Sequence, residues 1–199
     1  MNLGLKWDCH LYRITNNYGT ALYLQDPVGV VTAGTIEVAA ASGVVAGSIV
    51  GIFQQYGPKS ARPENLIPIT GATGQPYLGA SIGATYDYWA LVADAVDQLF
   101  VVQEDSDTTP LQITHVGAMC DHVAGTGSTV TGFSAYLIDS STANSTATLQ
   151  WRMIQPVPIW DTIAGQWNTV YDGVTASLYT KWIVRCNLHQ LAPRVAGLA

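Results

Sequence analysis

The sequence predicts an all-β fold, with a small N-terminal β-barrel followed by a β-sandwich or barrel domain with long loops. Three observations predict it. Short runs rich in Val, Ile, Tyr, Trp and Thr recur along the chain, residue types that fit a pleated surface. Gly, Asn, Asp and Pro turn signals separate them at short spacing. No long helical pattern of apolar residues stands out. The expected organisation is a barrel subdomain over 1–55, a Pro/Gly-rich linker loop over 56–76, and a main β domain over 77–199.

Taken in order, residues 9–15 and 21–25 read as strands joined into a hairpin through Asn16-Asn17-Tyr18-Gly19-Thr20, because Asn and Gly tolerate positive φ. Asp26-Pro27 ends that run, since Pro has no N–H for a central ladder. Residues 28–31, 35–38 and 48–54 follow as short strands. Residues 56–76 hold Pro58, Pro63, Pro68 and Pro76 with almost no periodicity, and read as a long loop. Residues 85–105 are the densest apolar and aromatic run. Tyr86, Tyr88, Ala90 and Val92 alternate with Trp89, Leu91 and Ala93, and Leu99 to Val102 is continuously apolar. The spacing predicts a central buried hairpin whose turn is made by Asp94 to Asp97. Residues 132–138 and 149–153 read as strands, 156–177 as a second long irregular stretch. In 179–188, Trp182, Val184, Cys186 and Leu188 alternate with Lys181, Arg185 and Asn187, the cleanest half-buried strand.

Charge narrows the function. Asp, Glu, Lys and Arg make up 11% of the 199 residues, against 48% apolar residues, where soluble domains carry about 25% charged residues. So uncharged a surface points to coverage by partners or by copies of the same chain. The net charge is −6 and no Lys/Arg cluster exists. This argues against binding nucleic-acid phosphates or an anionic membrane. No signal peptide is expected from the first residues, and no run of about 18 apolar residues predicts a membrane span. Cys9, Cys120 and Cys186, odd in number and far apart, suit free thiols in a reducing cytosol.

Chemistry-bearing residues are few. Asp94, Asp97, Glu104, Asp105 and Asp107 form the one acidic cluster. It could supply a glycosidase pair, but Asp is also a turn former. Asp105-Ser106-Asp107 begins like a calcium loop, yet Pro110 and Val116 stand where Gly and Glu are required. His10, His115, His122 and His189 are scattered. Cys120 and His122 could touch a metal only with a distant third ligand. No G-x-S-x-G elbow is present, and Gly125-Thr126-Gly127 followed by Gly132 does not spell a dinucleotide loop. The expectation is therefore no catalytic residues, no cofactor and no metal. Trp160, Trp167 and Tyr171 are the binding candidates, because aromatics in a loop can anchor a protein interface or stack on sugar rings; equally, they can cap the open end of a β core.

Four segments together resemble a recurrent pattern of tailed-bacteriophage virion proteins. They are LYLQDPVGVVTAGTIEVAAASG followed by VGIFQ; WALVADAVDQLFVVQED, with Val96 where proline is common; VGAMCDHVAGTGSTVTGFSAYLID; and TKWIVRCNLHQL. The family it resembles is that of head decoration, or cement, proteins. The resemblance implies an all-β fold, homotrimers seated on the outer surface of the capsid after assembly in the host cytoplasm, contact with the major capsid protein, and no catalysis. A tail or neck component, and a carbohydrate-binding β-sandwich used in host attachment, are the alternatives.

Overall fold

The computed structural model describes residues 9–15, 18–55, 65–69, 77–80, 86–105, 107, 109–157, 159–161, 166–168 and 180–192, with 159–161 and 166–168 as backbone. These residues are all-β, and no α-helix occurs among them. A six-stranded sheet runs in the order β1 (Cys9–Arg13), β8 (Tyr88–Ala93), β5 (Gly47–Gln55), β3 (Pro27–Val30) and β4 (Ile36–Val38), with β6 (Leu66–Pro68) also on β5. A four-stranded sheet runs β10 (Met119–Cys120), β13 (Trp151–Pro156), β16 (Lys181–Cys186), β9 (Leu99–Gln103). Three ribbons complete the set: β2 (Leu22–Tyr23) with β7 (Tyr77–Leu78), β11 (His122–Val123) with β12 (Leu137–Ile138), and β14 (Ile159–Asp161) with β15 (Gln166–Asn168). Every strand pair is antiparallel.

The N-terminal strands do not close into a barrel. The six-stranded sheet curls until its two end strands approach, but they meet at one parallel bridge, Ile14 to Ile36, beside a hydrogen bond between the Thr15 and Thr35 hydroxyls. A barrel requires a full ladder at that seam, and among the described residues no ladder forms there. The six-stranded sheet takes strands from both sides of residues 56–76, since β8 stands between β1 and β5.

Several local expectations are corrected. Residues 85–105 are not a hairpin: β8 pairs with β1 and β5, whereas β9 pairs with β16. A turn does form, closed by Gln98 N–H on Ala95 O, but it carries the chain from one sheet to the other. The expected hairpin over 9–25 is likewise absent, with β1 on β8 and β2 on β7. Within 56–76, Leu66–Pro68 forms a strand. Within 156–177, β14 and β15 form a ribbon where irregular chain is expected. Of 132–138, Leu137–Ile138 alone is strand.

Each main sheet has its own core, and alternation explains both. Ile49, Ile52, Ala90, Val92, Val28 and Ile36 face inward with Ile14, Leu22 and Leu78. In the second, Trp151 and Met153 of β13 meet Trp182, Val184 and Cys186 of β16, with Leu111 and Ile138. Phe100 sits edge-on to Trp151, the ring centroids 5.6 Å apart.

Polar side chains fasten the two cores together. Gln150, fully buried, donates to the carbonyls of Ala40 and Gly43, each at 2.7 Å, and accepts from His122 N–H. The Gln190 amide pairs with both backbone groups of Val30, at 2.6 and 2.7 Å, imitating one rung of a ladder. Bridges from Val45 to His189 and from Leu24 to Phe133 add backbone links. Close approach also requires glycine. A Cβ on Gly127 would lie 2.3 Å from the Tyr23 ring, and one on Gly125 would lie 2.0 Å from Ala135 O. The G-x-G of the sequence is thus a packing device.

Candidate functional site

The acidic residues divide among separate environments. Asp94 is buried at the end of β8 and takes Tyr12 hydroxyl at 2.5 Å and His10 Nδ1 at 2.8 Å. Burial, then Asp94, raises the Tyr12 hydroxyl well above its ordinary value. Asp97 lies exposed in the turn. Glu104 is fully buried and accepts from the N–H groups of Leu111 at 2.8 Å and Thr180 at 3.1 Å, so it ties two chain segments together. Desolvation raises its pKa, and the two N–H groups pull it back down.

Asp105 and Asp107 gather around the buried Ser140 hydroxyl, which reaches each of them at 2.8 Å. Asp139 joins them, with one oxygen of each carboxylate within 4.8 Å of the others. Oxygen donors of this kind suit a hard cation, but Ser140 already bridges two of the three. Sequence reading singled out Asp105 and Asp107 and missed Asp139, which is distant in sequence and reads as a polar-loop residue.

The histidines hold local structure. His122 accepts from Trp151 Nε1–H at Nδ1, so its Nε2–H faces Ala39 O at 3.3 Å, and both nitrogens are used. Burial lowers its pKa and that of His189. His115 Nδ1 caps a short 3-10 turn by accepting from Gln112 N–H. His189 Nδ1 accepts from Leu191 N–H. Cys120 Sγ faces the Met153 sulfur at 3.4 Å and the Trp151 carbonyl at 4.0 Å. Burial raises both core thiols, Cys186 to about 12, which makes them poor ligands and poor nucleophiles.

Trp160 and Trp167 are placed directly opposite each other in the register of the β14–β15 ribbon. Tyr171 lies outside the described residues.

Two surface features were not foreseen as sites. A cleft of about 580 Å3 opens where the two main sheets meet, along β9 on one side and residues 134–137 on the other. Burial pushes the hydroxyl of Tyr136, which lines it, up to about 12. Its described lining holds no Asp or Glu, and Lys181 is its charged residue. The second feature is apolar sheet surface turned away from the cores. On the six-stranded sheet Leu11, Leu91 and Gly51 stand in register, with the Phe53 ring lying over Gly51. On the four-stranded sheet Val101 and Ile183 stand in register, with Val101 61% exposed and Leu99 50% exposed, and Lys181, Arg185 and Arg152 border them on the same face.

No family model, curated protein or solved structure matches this chain.

Proposed function

We propose that this chain is a structural virion protein that decorates and stabilises the capsid of a tailed phage by bridging neighbouring major capsid subunits, seated on the outer shell as a homotrimer. The observation that carries this reading is an apolar patch on the outer face of each main sheet, Leu11, Leu91 and Phe53 on one and Leu99, Val101 and Ile183 on the other, on a chain with 8 Lys and Arg among 199 residues. Contiguous exposed apolar patches mark interaction surfaces, and each core here covers only the other face of its sheet. The resemblance of four ordered segments to head decoration proteins supplies the setting. The role would be mechanical. Packed DNA pushes the shell outward, and many small apolar contacts, each stabilising by about 25 cal/mol per Å2 buried less the cost of docking, oppose separation of the subunits.

The test compares purified expanded capsids with and without the protein. Decorated shells are expected to survive higher temperature and internal pressure. Equal survival rejects the cement role.

A second reading rests on the facing positions of Trp160 and Trp167, which favour a carbohydrate-binding surface used in host attachment. There, wild type is expected to bind a glycan array and Trp167→Ala to lose the signal. A blank array from wild type removes this reading.

A further inference from the structure

We infer that the free edge of β9 is a self-association site, on which an extended strand from a second copy of this chain adds to the four-stranded sheet within the cleft. The inference rests on the assembling role proposed above and names the surface that serves it.

β9 ends its sheet. Among the described residues its strand neighbour is β16 on one side, and the other edge opens on the cleft. Just beyond β9 that edge is already in use. Asp105 N–H donates to Ile138 O at 2.9 Å, and Glu104 bridges Ile138 in parallel. From there the chain at 134–137 diverges; among the described residues the edge of Leu99–Gln103 lies open along the cleft wall, apart from Leu99 O, which accepts from Gln98 Nε2–H at 2.9 Å. Five residues of strand span about 17 Å, and an added strand would satisfy backbone groups that otherwise rely on water.

End strands are normally blunted against such pairing by charge, proline, bulges or shortness. The others here obey that rule. β1 carries His10 and Arg13, β4 carries Glu37, β6 is three residues with Pro68, and β10 is two residues. β9, Leu-Phe-Val-Val-Gln, has no charge and no proline, and its ladder with β16 runs without a bulge. Its exposed side chains, Leu99 and Val101, are apolar. Such an edge is expected to be kept open for a partner.

Charge selects the occupant. The chain has a net charge of −6, yet the described lining of the cleft holds no carboxylate and does hold Lys181. A second acidic copy therefore meets a positive charge at the cleft.

The experiment joins sedimentation velocity over a range of protein concentrations with amide hydrogen exchange of the full chain. Wild type is expected to self-associate, and the amides of Leu99, Val101 and Gln103, which point away from β16, to exchange more slowly as the oligomer fills. Val101→Lys puts a charge on an exposed position of the edge and is expected to weaken association by about tenfold or more, with unchanged near-UV circular dichroism and thermal midpoint. Lys181→Glu tests the charge term and is expected to weaken it too. Oligomers whose β9 amides exchange as in the monomer, or a Val101→Lys protein that associates like wild type, overturn the inference and leave the cement role standing. A wild type monomeric at every concentration also overturns it, and the capsid survival test then decides the cement role alone.

Discussion

Gln150→Leu is expected to cost about 2–4 kcal/mol of stability, the sum of leaving two carbonyls and one N–H without their partner. Gln150 is fully buried and bonds Ala40 O, Gly43 O and His122 N–H. Leucine matches its volume closely, so little of the loss comes from a cavity; the deficit is polar. The loop that the amide holds also brings Ala39 and Val45 into the second core, and Ala39 O is the acceptor of His122 Nε2–H. The change should therefore loosen the junction between the sheets as well as the global fold. Urea unfolding measures the first effect, and faster amide exchange at residues 39–46 measures the second. A midpoint within error of wild type would show that the junction does not depend on this side chain.

Asp26→Asn is expected to stabilise the protein by up to about 3 kcal/mol at pH 7 and by little at pH 4. The Asp26 carboxyl is buried, and that burial raises its pKa to about 6 against the pull of Ser134 and of Tyr23 N–H at 2.8 Å. Because the folded pKa is the higher one, the folded chain holds more protons than the unfolded chain between about pH 4 and 6. This group's contribution is then fullest below its ordinary pKa of 3.8 and is lost as pH rises through about 6. Glu104, also raised, acts in the same sense. His122 and His189 act in the opposite sense. Their folded pKa values lie below the ordinary 6.5, so the stability that they support is present above 6.5 and is lost as pH falls below it. For His122 the cause is burial, and a second proton would also leave Nδ1 facing the Trp151 N–H as donor against donor. Denaturation midpoints for wild type and Asp26→Asn across pH 4–8 isolate the aspartate, because every other group is common to both. A difference that stays constant with pH would assign the effect elsewhere.

The candidate chemistry shows where sequence reading stops. Asp94 and Glu104 read as members of one acidic cluster because they are close in sequence. The chain between them crosses from one sheet to the other, so Asp94 anchors β1 through Tyr12 and His10 while Glu104 anchors Leu111 and Thr180. Asp139 is a distant neighbour made adjacent by Ser140. Neither separation nor approach leaves a mark on local composition. The cleft was equally invisible, since the apolar run of β9 is the same whether its edge is paired or open.

What the sequence determined by itself is the all-β class, the strands 27–30, 36–38, 47–55 and 181–186 to within a residue or two, and the inward faces of Trp182, Val184 and Cys186. These follow from period-two alternation and from Gly, Asn and Pro at turns, which act within a few residues of chain. Only the tertiary structure decided which strand pairs with which, that the barrel stays open, and that the densest apolar run serves two sheets. Backbone hydrogen bonds are the same for every strand, so partners are chosen by side-chain packing between distant segments. That choice sent β8 to Ile49 and Ile52 and sent β9 to Trp182 and Val184.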